Sequence, residues 1–134
     1  MNSRMILFHQ IDESDGSLVY METLKDIPIE IKRTFYIFST PEGATRANHA
    51  NKTTDFVMIS LNGCCKITTD DGKEKHVFTL NDPKSGIHVP KMTWIKAFDF
   101  SLDCILLIFA NEIYDKKKYI DNYDDFMKEC KLLT

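Results

Sequence analysis

A chain of 134 residues is the length of one domain, long enough to bury a core without disulfide or metal staples. With 28% charged and 43% hydrophobic residues and a net charge of −3, it is neither a disordered chain nor a nucleic-acid binder held by a basic face. Its longest strongly apolar run, residues 104–110, falls well short of the about twenty residues a membrane helix needs, and the first ten residues lack a signal peptide's core and cleavage site, so a cytoplasmic protein is expected.

The punctuation is that of an all-β protein. Turn signals stand at Ser14-Asp15-Gly16, Pro41-Glu42-Gly43, Asn62-Gly63, Asp70-Asp71-Gly72 and Asn81-Asp82-Pro83. Strands are predicted over residues 32–38, 56–61, 64–69, 75–79, 86–89, 93–98 and 103–109. Asn62-Gly63 is predicted to close a hairpin, since it accepts the positive φ angles of a two-residue turn. Such regular turns imply a sandwich or small barrel over about residues 1–110. After Ala110 the pattern changes. Tyr119, Ile120, Tyr123, Phe126, Met127 and Leu132 recur at roughly helical spacing, so one or two short helices are predicted within residues 114–132, their tyrosines serving as packing. The four cysteines form no C-x-x-C pair, and Cys64 and Cys65 point to opposite faces of a strand, so all four are read as reduced thiols.

The chemistry-bearing residues cluster between Gly43 and Gly63. His49 and Asn51 are two apart, which puts both on one face of a strand, and Asp55 follows. Arg46, Asn48 and Lys52 lie within the same ten residues, and so dense a polar set facing a closed interior needs partners or a ligand. The spacing resembles the first cupin motif, in which a His-x-His pair and an acid bind a metal inside a jelly-roll barrel. Here Asn51 holds the second histidine's place, and His88 precedes Pro90 where the second cupin motif places its histidine after that proline. A metal site and a metal-dependent oxygenase are therefore not expected. Arg33 and Arg46 suit an anionic ligand, because guanidinium pairs with phosphate bidentately. His9 and His76 are read as surface histidines.

The order and spacing of several short pieces resemble the dTDP-4-keto-6-deoxyhexose 3,4-ketoisomerases, the WxcM-like, RmlC-type cupins. These are Asp15-Gly-Ser-Leu18, Ile27-Pro28, Ile31-Lys-Arg33-Thr-Phe-Tyr36-Ile37, Arg46-Ala-Asn-His49-Ala-Asn51-Lys52, Leu61-Asn-Gly63, Trp94, Asp99-Phe-Ser101, Tyr114-Asp115, Tyr119-Ile120 and Tyr123-Asp124. The resemblance implies a cupin jelly-roll barrel, a homodimer exchanging an N-terminal strand, no cofactor, and a dTDP-linked 4-keto-6-deoxy sugar as substrate. It implies that a base moves the C3 proton to C4 through an enediolate. The product would serve 3-amino-3,6-dideoxyhexose biosynthesis for surface glycans. His49 matches the family's first motif histidine, Arg46 and Lys52 its flanking basic residues.

The candidate site is accordingly His49 and Asn51 for catalysis, with Arg33, Tyr36, Arg46, Lys52, Asp55 and Trp94 for substrate. Three departures stand out. Asn51 replaces the second histidine, and an amide takes no proton at neutral pH. Ala47 replaces a glycine. Asp15 and Ile95 stand where the family carries basic or aromatic residues near the sugar. Two readings follow. In one, His49 is the single base and Asn51 positions the keto or enediolate oxygen. In the other, the chain binds the nucleotide sugar and has lost or altered the isomerisation.

Overall fold

The computed structural model describes residues 2–134. Three short strands come first: β1 (Arg4–Leu7), β2 (Gln10–Glu13) and β3 (Gly16–Val19). The body follows as β4 (Arg33–Ile37), β5 (Arg46–Asn51), β6 (Phe56–Asn62), β7 (Cys65–Asp70), β8 (Lys75–Leu80), β9 (Ser85–Val89), β10 (Trp94–Phe98) and β11 (Ile105–Ala110). A single turn of 3-10 helix at Lys116–Lys118 leads into β12 (Tyr119–Ile120) and one helix, α1 (Tyr123–Leu132).

Two five-stranded antiparallel sheets face each other in the orders β1-β9-β6-β11-β4 and β12-β5-β10-β7-β8, with β2 and β3 a separate hairpin. This is the expected cupin jelly roll. Alternating side chains fill the space between the sheets: Phe56 and Met58 from β6, Leu106 and Ile108 from β11, Ile67 from β7 and Ile95 from β10. The other face of β6 is also covered. Val57 and Ile59 pack with Phe8, Ile27 and Ile29 beneath the segment that links β3 to β4. That double coverage explains why residues 56–60 are an unbroken apolar run apart from Ser60.

One expectation changes. Asn62-Gly63 does not close a hairpin, because β6 and β7 belong to different sheets. It is the corner at which the chain crosses between them. Gly63 has φ +65°, and a Cβ there would collide with the side chains of Ser101 and Asp103, so glycine is required for closeness as much as for torsion. The neighbouring hairpin is β7–β8, where the Asp71 carboxylate accepts from the amides of Lys73 and Glu74. The C-terminal segment forms one α-helix, capped by the Asn122 side chain on the amide of Asp125. Phe126, fully buried, seats this helix against Ala50 and Ile120, with Trp94 packed on the same cluster.

Candidate active site

One end of the space between the sheets stays open as a cavity of about 510 Å³. The first sheet supplies a wall of carbon: Phe35 and Ile37 from β4, Phe56 and Met58 from β6, and Ile108 from β11. The second sheet supplies Arg46, Ala47 and His49 from β5, Ile95 from β10 and Tyr119 from β12. Arg33, Tyr114, Lys116 and Asp121 complete the mouth.

A regular strand cannot turn Arg46, Ala47 and His49 to one side, since its side chains alternate. A bulge does it here. His49 pairs with Ile95 and Ala47 with Lys96, so Asn48 is an extra residue with no partner on β10. Ala47 and Asn48 take positive φ angles of 69° and 60° to make the kink. Left-handed backbone costs an alanine about 1 kcal/mol or more, and strain of this kind persists where the surroundings hold it.

The His49 ring is half-buried, edge-on to the Tyr119 ring with centroids 4.8 Å apart. Its Nδ1 is buried with no hydrogen-bond partner among the described residues. Burial pushes the imidazole pKa below its usual 6.5; Asp121 opposes that shift and Arg33 adds to it. The group is therefore a neutral imidazole at physiological pH, able to take a proton. Arg33 Nη2 donates to the Tyr119 hydroxyl at 3.0 Å, and its guanidinium lies over the rings of Phe35 (4.5 Å) and Tyr114 (5.3 Å). Because the Tyr119 oxygen accepts from Arg33, its own proton is free to be donated into the cavity.

The residues singled out from sequence divide sharply. Arg33, Arg46 and His49 meet in the cavity. Asn51 does not line it: buried, it accepts with Oδ1 from the amides of Thr53 (2.9 Å) and Thr54 (2.8 Å), shaping the turn after β5. Asp55 is spent elsewhere. Its Oδ2 meets His88 Nε2 at 3.1 Å and its Oδ1 accepts from the Lys91 amide at 2.9 Å. Burial alone would raise the Asp55 pKa, but the bonds from His88 and Lys91 outweigh it and hold the carboxyl below its ordinary value. Trp94 packs edge-on to Tyr123 in the helix-docking cluster. Lys52 lies in an outer groove 4.0 Å from Glu129. Tyr36 points outward from β4, its ring tilted beside Phe38 with centroids 6.0 Å apart, and is 63% exposed.

Tyr119, Tyr114, Lys116 and Asp121 were not expected at the site. A second network holds them in place. Glu112 accepts from Thr53 Oγ1 (2.6 Å), Thr54 Oγ1 (2.7 Å) and Lys118 Nζ (3.0 Å). It thereby ties the turn after β5 to the segment that carries Lys116 and Tyr119.

Comparison with known proteins agrees with the fold. Residues 1–131 match the model of the FdtA family, described as WxcM-like, C-terminal. The chain is 41% identical over 128 residues to the TDP-4-oxo-6-deoxy-alpha-D-glucose-3,4-oxoisomerase of Aneurinibacillus thermoaerophilus, covering 96% of this chain and 92% of that one. It superposes on the sugar 3,4-ketoisomerase QdtA of Thermoanaerobacterium thermosaccharolyticum, solved with TDP, with a TM-score of 0.95 and 38% identity over 98% of this chain and 96% of that one. Two Campylobacter jejuni enzymes both superpose with a TM-score of 0.91: WlaRA, a TDP-fucose-3,4-ketoisomerase (38% identical, 96% of each chain), and WlaRB, a TDP-quinovose 3,4-ketoisomerase (37% identical, 95% of this chain and 98% of that one).

Proposed function

Because this chain belongs to the WxcM-like family of 3,4-ketoisomerases, we propose that it isomerises a TDP-linked 4-keto-6-deoxyglucose to the 3-keto-6-deoxyhexose. The observation that carries the reading is a neutral His49 in an apolar cavity whose mouth is lined by Arg33, Arg46 and Lys116.

The reaction needs a base of moderate strength and donors for a developing oxyanion. The C4 carbonyl acidifies the C3 proton. His49 takes that proton, the C3–H electron pair forms the C3–C4 double bond, and the carbonyl π pair moves to O4, which the Tyr119 hydroxyl is placed to protonate. The imidazolium then returns its proton to C4, the O3–H proton restores Tyr119, and the carbonyl stands at C3. Atoms and charge balance with no external reductant. The carbon wall lowers the local dielectric and strengthens the donors' grip on the oxyanion. It also suits the C6 methyl of a 6-deoxy sugar. Arg33, Arg46 and Lys116 suit the diphosphate. Asn51, Asp55 and Trp94 support this arrangement by shaping the strand ends and the helix dock.

The assembly we infer is a homodimer with exchange of the N-terminal strand. Leu7, Ile11 and Leu18 are exposed on β1, β2 and β3, and β4 is a free sheet edge. Exposed apolar strands beside an open edge are a template for pairing with a second copy. Four free thiols, at Cys64, Cys65, Cys104 and Cys130, suit the reducing cytoplasm. No helix is long and apolar enough to cross a membrane among the described residues. The 3-keto product is a substrate for an aminotransferase, which would lead to 3-amino-3,6-dideoxyhexoses for surface glycans.

Proton NMR of TDP-4-keto-6-deoxyglucose with the purified protein in D2O tests the reaction. The expected result is a 3-keto product, with deuterium at its C4, or at C3 of the recovered substrate, in the fraction of turnovers in which the His49 proton exchanges with solvent before it is returned. Ligand line-broadening with neither exchange nor 3-keto product at any protein concentration would leave a sugar-nucleotide binding protein and sink the isomerase.

A further inference from the structure

Enzymes of this chemistry give two products, for the relatives include one named for TDP-fucose and one for TDP-quinovose, sugars that differ in configuration at C4. Identities of 38% and 37% do not separate them. The cavity does. We propose that this chain removes the C3 proton and delivers the C4 proton on the same face of the sugar, both through His49, so that its product carries an axial C4 hydroxyl, the fucose configuration. This deepens the ketoisomerase reading and rests on it.

The two walls of the cavity differ in where protons can be held. We take the planar enediol to lie with its ring between the two sheets, the orientation in which each face meets one wall of the cavity. The wall of the second sheet holds His49 and, against it, Tyr119. The wall of the first sheet holds Phe35, Ile37, Phe56, Met58 and Ile108, none of which carries an exchangeable side-chain proton. Arg33 is that sheet's one polar contribution to the cavity lining among the described residues. Its guanidinium is fixed to Tyr119 and does not deprotonate in proteins, so it is no acid toward carbon. Ile95, the partner of His49 across the β5–β10 ladder, adds no second titrating group. Asn51, the position two residues on, is occupied with backbone amides. His49 is thus the sole imidazole in the lining among the described residues.

Ring geometry then sets the product. In the gluco-configured substrate the C3 proton is axial, on the face opposite the C3 hydroxyl. A proton placed on C4 from that same face forces the C4 oxygen to the other side, where it is axial. Delivery from the opposite face would leave it equatorial, as in quinovose. The outcome follows from one-sided transfer alone and does not depend on which sugar face meets His49.

The test is the product formed in H2O by the purified wild-type protein from TDP-4-keto-6-deoxyglucose, read by proton NMR at early turnover. An axial C4 hydroxyl makes H4 equatorial, so its coupling to H5 is small. That is the expected result. A large, trans-diaxial H4–H5 coupling, or both couplings together at early time, would overturn one-sided transfer while leaving the isomerase intact. Absence of any 3-keto product would overturn both, and is told apart by the substrate signals persisting unchanged.

Discussion

Glu112→Gln tests whether the cavity mouth is held by the carboxylate beneath it. Glu112 receives two threonine hydroxyls and the Lys118 ammonium, and these bonds, the Thr53 one foremost, pull its pKa from 4.5 to about 2. A shift of that size corresponds to a ceiling of about 3 kcal/mol. The side chain is 30% exposed and Lys118 36%, so solvent screening reduces the net contribution to about 1–2 kcal/mol. Glutamine keeps an acceptor for the threonines and loses the charge. The folded-state pKa is depressed, so this stability is fully present above pH 4.5 and is lost as pH falls toward 2. Urea unfolding of wild type and variant from pH 7 down to pH 3 should show a gap of about 1–2 kcal/mol that is flat above pH 5 and narrows below it. In steady-state assays KM should rise and kcat fall together, because Lys116, which suits the diphosphate, and Tyr119, which protonates O4, lose their anchor while His49 stays. A variant within about 0.3 kcal/mol of wild type at pH 7, or a gap that does not narrow in acid, would refute the reasoning.

Other perturbations separate the parts of the site. His49→Asn removes the base and should lower kcat by about 10²–10⁴-fold, with substrate binding by calorimetry largely kept; a tenfold loss or less would move the base elsewhere. Because burial lowers the His49 pKa, wild-type kcat/KM should stay level as pH falls through 6.5 and drop only below it, whereas an acid limb above 6.5 would contradict a desolvated base. Arg46→Ala should raise KM by about tenfold at low salt, less at high salt, with kcat nearly unchanged, if the guanidinium meets the diphosphate. Ala47→Gly relaxes a residue at φ 69° and should raise Tm by about 2 °C, the strain relieved exceeding the entropy glycine adds to the unfolded chain; a lower Tm would mean the bulge is not strained.

Much of the fold is legible because strand alternation and turn residues are local signals. A sandwich or barrel, most strands of the body and the helical tail are visible in those signals, whereas the jelly roll itself is what the family resemblance implies. Corners are not local. Asn62-Gly63 has the chemistry of a hairpin turn, and only the pairing of β6 with β9 and β11 shows that the chain there changes sheets. The first three strands are short and half-exposed, with little apolar pattern to read. The site was legible in part for the same reason. Arg33 and Tyr36 differ by an odd number, so a regular strand cannot aim both into one cavity, and the structure sends Tyr36 outward. Tyr119 reads as one of a set of packing tyrosines, because its role comes from a two-residue strand docked on β5, far away in sequence.

The bulge at Asn48 and the end of β5 together decide which residues of the motif reach the cavity. Alternation from His49 places Asn51 in the interior as a substitute for a second catalytic side chain. The extra residue at Asn48 instead brings Ala47 and Arg46 to the cavity beside His49, while the end of the strand turns Asn51 onto the amides of Thr53 and Thr54. An asparagine there suits that task, as its short carbonyl side chain reaches the backbone two and three residues on. The exchange of histidine for asparagine therefore removes one proton carrier while keeping the strand end closed. Together with Ile95 it leaves, among the described residues, a wall with one imidazole base facing a wall with none. A site so arranged needs its single imidazole to collect and return the same kind of proton, and that requirement is what makes the configuration of the product a direct readout of the cavity's two sides.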